Sequence, residues 1–255
     1  MAVIALALAA GFLAGADWAQ AVWPWPTTRL SDLFLASILA AVGAPMIWIA
    51  AANEPRAMEA GAVDLAVMYA GMSATVGLQA ASGDAKALVF ATVLGVFTLP
   101  SLAAFVWSRR FEFRDPRPMP VAVRVSFGVF AVALAWAAAE LITGAPHIFP
   151  WPLPEATSAA YGWIFAGAAT YFAFGVLRGR WANACGQLIG FLVYDLILIG
   201  PFVAHVDDVL PAHRPSLSIY TSVLVYSGLL ATYFLFVHPA TRFSRADLVP
   251  SGTAT

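Results

Sequence analysis

Between residues 2 and 237 the chain alternates long apolar runs with short polar breaks, and the runs share a common length. A helix needs about 20 mostly apolar residues to cross the hydrocarbon core of a bilayer. Eight segments meet that length: approximately 2–22, 33–52, 62–81, 86–107, 121–143, 157–177, 182–204 and 217–237. Lipid offers backbone N–H and C=O groups no outside partner, so helix is the form these runs must take. The pattern predicts an all-α integral membrane protein of eight transmembrane helices.

The longest polar stretch, SRRFEFRDPRPMP at 108–120, lies at the midpoint and reads as a linker. It separates a first unit, 1–107, from a second, 121–238, followed by a tail at 239–255. The two units echo each other. Set without gaps over residues 127–152, residues 1–26 match at nine of 26 positions, four of them alanine pairs. Both stretches end in Pro-Trp-Pro, at Pro24–Pro26 and Pro150–Pro152, each just past the end of a span. With a shift of one or two residues the echo continues, Arg56 over Arg180 and Tyr69 over Tyr194. A duplicated four-helix unit accounts for this. Because four is even, both copies enter the membrane from the same side, so the repeats are expected to be parallel, related by a pseudo-twofold along the membrane normal. The apolar start of the chain lacks the basic n-region of a signal peptide, and its match to the fifth span predicts that it stays.

Composition narrows the class. Charged residues are 11% of the chain and hydrophobic ones 61%, against about 25% charged in soluble domains. A net charge of −1 and the absence of a basic block exclude nucleic acid as a partner. The single cysteine, Cys185, excludes an internal disulfide and any CxxC motif. Ten of the thirteen basic residues fall on one side of the predicted topology, Arg56, Arg124, Arg178 and Arg180 among them; Arg29, Lys86 and Arg214 fall on the other. The positive-inside rule then puts both termini in the cytoplasm, and the setting expected is a bacterial inner membrane.

Ionisable groups inside a membrane are costly and mark candidate sites. Asp195, in FLVYDLILIG, is central to the seventh span, and it is expected to face the bundle interior, protonated or hydrogen-bonded. Gln187 lies about two turns earlier on the same helix face, and Tyr194 and its repeat partner Tyr69 join the candidate ligand or proton site. Glu140, near the outer end of span five, is a second acid; Asp64 reads as close to a span end and weaker. An equally open reading makes Asp195 a polar tie between helices. Trp23, Trp25 and Trp151 are expected to anchor the membrane interface or, alternatively, to form an aromatic gate on the pseudo-twofold axis. On the outer side, His205, Asp207, Asp208 and His213, with His147 from another loop, offer a divalent metal a weak ligand set in no recognised spacing. Pro45, Pro100 and Pro201 are expected to interrupt their spans, freeing carbonyls that polar neighbours or a cavity must satisfy.

No P-loop, GxGxxG, GxSxG or HExxH occurs. No histidine lies within a span to bind haem, no lysine lies deep enough for a Schiff base, and no cofactor is indicated. Three functions remain open. The chain binds or transports a small apolar or amphipathic ligand at the repeat interface. It is an accessory subunit that meets other membrane proteins or a second copy of itself. Or it is a membrane-embedded enzyme acting on a lipid or isoprenoid, with Asp195 as acid or base.

Overall fold

A computed structural model of the chain describes every residue except 81–82, 146, 207–208 and 244–255, and at Gln79 the backbone only. Among the described residues the regular structure is helical: α1 (Ala2–Ala14), α2 (Asp17–Gln20), α3 (Arg29–Ala51), α4 (Met58–Ala80), α5 (Ala85–Ser108), α6 (Val121–Ile142), α7 (Glu155–Arg178), α8 (Trp181–Ala204) and α9 (Arg214–Thr232). Seven of these, α3 to α9, are long and apolar enough to cross a membrane. The chain is an integral membrane protein of at least that many candidate spans.

The first apolar run behaves differently from its expected length. α1 has 13 residues, about 20 Å at about 1.5 Å per residue, short of the roughly 30 Å hydrocarbon core. It stops because Gly15 turns left-handed, with φ 67°, and its N–H bonds back to Phe12 O. Arg29, at the start of α3, then donates to the terminal carbonyls Phe12 O (3.2 Å) and Leu13 O (2.7 Å). A guanidinium on the negative end of a helix accounts for a basic residue on the side that carries few of them. The other helix starts follow familiar chemistry. Thr28 Oγ1 accepts from Ser31 N and Asp84 Oδ1 from Ala87 N. Pro45 and Pro100 do not break their helices; α3 and α5 run through both.

The seven long helices and α1 pack in a regular scheme. α1 lies on α3 as α6 lies on α7, and α5 lies on α4 as α9 lies on α8. Two cross-pairs join the halves, α3 with α8 and α4 with α7. Small residues set these approaches, as expected in a membrane. A Cβ built on Gly71 of α4 would fall 2.0 Å from the Trp163 ring of α7, and one on Gly167 of α7 would fall 2.3 Å from Asp64 Oδ1 of α4. The two glycines are reciprocal, each housing a large side chain of the opposite helix. Trp163 Nε1 completes its seat by donating to Thr75 Oγ1 at 2.8 Å.

The two Trp-Pro loops are exchanged between the halves. Trp23 packs 5.9 Å from Tyr161 of α7, while Phe149, at the equivalent position of the second loop, packs 5.0 Å from Phe34 of α3. Trp151 Nε1 donates to Ser31 Oγ at 3.0 Å. Trp23 and Trp151 are each only 6% exposed, and Trp25 is half-buried against Trp23 and Phe90. Proline rigidity turns these aromatics inward, into the core between the halves, rather than out toward lipid headgroups.

At the opposite face a buried side chain holds the linker. Glu54, 3% exposed, accepts from Arg114 N at 3.0 Å and Asp115 N at 2.9 Å. Burial pushes the Glu54 carboxyl above its ordinary 4.5, and the two N–H bonds oppose that rise without cancelling it. The folded state therefore holds this proton more tightly than the unfolded chain, and stability from Glu54 declines as pH rises through its raised pKa. Thermal unfolding in detergent, run upward from about pH 4, is expected to show wild type losing stability relative to Glu54→Gln. Parallel pH profiles for the two proteins would contradict this.

Candidate functional site

Six helices line a cavity of about 440 Å³ at the junction of the halves, within the usual range for small-molecule sites of about 300–1,000 Å³. α3 contributes Ile38, Ala41 and Val42; α4, Asp64 and Met68; α6, Phe130, Leu134 and Ala137; α7, Phe165, Ala168 and Phe172; α8, Gln187, Gly190 and Tyr194; α9, Tyr220 and Ser227. Its wall is mainly apolar and aromatic. A surface groove between α6 and α9 borders it, lined by Val125, Val129, Ser222 and Tyr226, and shares Phe130, Ile219 and Val223 with the cavity wall. This groove faces the lipid side of the bundle, and Ser126 and Tyr226 span it with a 2.6 Å hydrogen bond.

Asp195 is central in its helix and 1% exposed, but it is not part of the cavity wall. Its two oxygens lie 3.1 and 2.9 Å from Ser227 Oγ of α9. Gly228 allows this approach, since a Cβ there would come within 3.3 Å of Asp195 Oδ2. Ser227 Oγ is also 2.8 Å from Val223 O, so its single proton is shared between carboxyl and carbonyl. The arrangement ties α8 to α9 behind the wall that Tyr194 and Ser227 present to the cavity.

Gln187 and Tyr194 do line the cavity; the Tyr194 hydroxyl is hydrogen-bonded to that of Tyr220. Tyr69 turns the other way, with its ring 5.9 Å from Phe97 of α5. Glu140 is half-buried at the Trp-Pro end of α6 and lines neither the cavity nor the groove. Of the histidines, His213 is buried with Nδ1 2.8 Å from Phe149 O, and its ring stands 4.8 Å from that of His147. His205 instead bonds its own helix at Pro201 O, 2.8 Å away. Asp207 and Asp208 lie outside the described residues. Among those that are described, no group of three or more His, Cys, Asp or Glu side chains comes together to hold a metal.

One acid stands elsewhere than its sequence position suggested, and another, Glu59, was not singled out by it. Asp64 lies in the middle third of its span, because the helical run begins at Pro55 and not near residue 62. Pro55 at the first helical position was the available signal. Glu59 is fully buried at the arginine-rich face. Arg56 of the first half reaches Glu59 Oε2 at 3.2 Å, and Arg178 of the second reaches Oε1 at 3.5 Å. Asn183 Nδ2 of α8 stands 3.5 Å from the same carboxylate. One anion from α4 thus receives groups from both α7 and α8, which only the tertiary arrangement could assemble.

No family model, curated protein or solved structure matches the chain.

Proposed function

We propose that the protein binds and carries a small apolar or amphipathic molecule in the cavity between its halves, taking it from the bilayer through the α6–α9 groove. The cavity carries this reading: its size, its aromatic wall and its position where the cross-pairs α3–α8 and α4–α7 meet suit a membrane-borne ligand. Shared lining residues make the groove a short path from lipid to cavity. Asp195, tied to Ser227 behind the wall, is poorly placed as an acid or base for a substrate held there.

The architecture we infer is a duplicated four-helix unit, with parallel repeats and α1 in the place of an eighth, shortened span. Support comes from the packing scheme, which is unchanged when α1, α3, α4 and α5 are exchanged for α6, α7, α8 and α9, and from the crossed Trp-Pro loops. The arginine-rich face, with the linker, is taken as cytoplasmic, in a bacterial inner membrane, and the positive-inside rule assigns both termini to that compartment.

The test is mass spectrometry of small molecules retained after purification in mild detergent, comparing wild type with Ala168→Trp. A tryptophan at 168 projects into the cavity wall. A stoichiometric apolar molecule on wild type, lost from a variant that still unfolds cooperatively, is expected. Equal retention by both, or bulk phospholipid alone, overturns the reading. Ala137→Trp, on a different helix, serves if Ala168→Trp does not fold.

A further inference from the structure

We infer that the ligand of this cavity is an organic cation, an amphipathic amine whose ammonium group sits against Asp64; the inference rests on the cavity being a binding site. Hydrogen bonding within the wall leads to it. Several polar groups there are already satisfied by the protein: Tyr194 with Tyr220, Ser227 with Asp195 and Val223 O, and Ser216 with His147 O. Asp64 and Gln187 are not. Among the described residues neither has a hydrogen-bond or ion-pair partner, and both line the cavity. Asp64 is half-buried, with its exposure toward the cavity.

A third group faces the same space. Pro45 has no N–H to give to the carbonyl of Ala41, one turn earlier in α3. Ala41 lines the cavity, and its carbonyl lies at the point where Gly190 lets α8 come close, 3.1 Å from a Cβ built there. The unsatisfied inventory is thus a carboxyl, one amide and the carbonyl freed by Pro45, to which His147 and Trp136 of the same wall add an imidazole and an indole N–H; Asp64 is the one acid among the described lining residues. Among the described residues no lysine or arginine lines the cavity, and the nearby Arg56 and Arg178 are engaged by Glu59.

A carboxyl in a low-dielectric wall is expensive to ionise unless a cation or a donor meets it. A ligand ammonium supplies charge and three donors together. The surrounding rings of Phe130, Phe172 and Tyr194 suit its apolar body and attract the positive end. An anionic amphiphile of the same shape would meet Asp64 with like charge and be rejected.

Isothermal titration of the detergent-purified full chain with three isosteric probes separates the possibilities: phenylbutylamine (cation), phenylbutanol (neutral) and phenylbutyrate (anion). Wild type is expected to prefer the amine over the alcohol by about ten- to hundredfold, the scale of a charge-assisted hydrogen bond, and to bind the acid least. Asp64→Asn should bring amine affinity down to that of the alcohol, with alcohol binding unchanged, and Asp64→Glu should restore the preference. Since no described group of the protein bonds to the Asp64 carboxyl, Asn should fit; an unchanged melting temperature checks this. Equal affinity of wild type for amine and alcohol, or an undiminished amine preference in Asp64→Asn, overturns the cation assignment and leaves the cavity reading standing. Alcohol binding that survives Ala168→Trp and Ala137→Trp undiminished, or absence of all three probes from wild type, overturns the cavity reading itself.

Discussion

Replacing Glu59 by alanine is expected to cost about 3 kcal/mol of stability and to loosen the two halves from each other at the arginine-rich face. The carboxylate is fully buried and takes Arg56 and Arg178 from different halves, with Asn183 beside it. Removing it leaves two guanidiniums facing one another with no anion, and breaking a buried pair by deleting one partner is costly because the other charge stays behind. Arg178 is 36% exposed by side chain and can withdraw toward water, which keeps the cost at the lower end of the range of about 3–5 kcal/mol. Glu59→Gln keeps the shape but not the charge and should fall between wild type and Glu59→Ala. Thermal unfolding in mild detergent, read by near-ultraviolet circular dichroism, checks the order. A Glu59→Ala protein as stable as wild type would mean the arginines are held by something else.

Gly167→Ala is expected to be nearly as damaging, at about 1–3 kcal/mol, although it adds a single methyl. The added carbon would stand 2.3 Å from Asp64 Oδ1, 2.8 Å from the Asp64 backbone oxygen and 3.0 Å from Met68 Cβ. A flexible side chain could swing away, but a backbone carbonyl and a Cβ cannot, so α7 and α4 must separate. That separation also moves the Asp64 carboxyl, so the variant should lose amine preference along with stability. Gly128→Ala is the matched control, a helical glycine of α6 with nothing within 4 Å of its built Cβ. It should be close to neutral. If both substitutions behave alike, close approach at Gly167 is not what holds α4 to α7.

Membrane residence, the approximate positions of the long helices and the midpoint linker were legible in the residue order alone. They depend on local properties: run length, apolar content, and where glycine, proline and charge fall. A twenty-residue apolar stretch has one stable form in lipid wherever its neighbours lie. The first run shows the limit of that logic, for a left-handed turn at Gly15 ends α1 early although apolar residues continue past it. The boundary of α4 shows another. Starting that span near residue 62 left Asp64 at an edge, whereas Pro55 starts the helical run and puts the acid in its middle third.

The candidate site itself depended on tertiary structure, because which face of a helix meets which neighbour is not encoded by helices apolar on every side. Asp195 and Asp64 are both acids in the middle thirds of their spans. Only packing decided that Asp195 meets Ser227 across the Gly228 contact while Asp64 is left facing a cavity without a partner. The Trp-Pro phrases pose the same problem. Their repetition was plain in the sequence, but their inward exchange between halves, Trp23 onto Tyr161 and Phe149 onto Phe34, is a contact across more than a hundred residues. Sequence determined the solvent this chain lives in and the helices it makes. Side-chain contacts between distant helices, set by where glycine permits close approach, decided which of its few polar groups were left for a ligand.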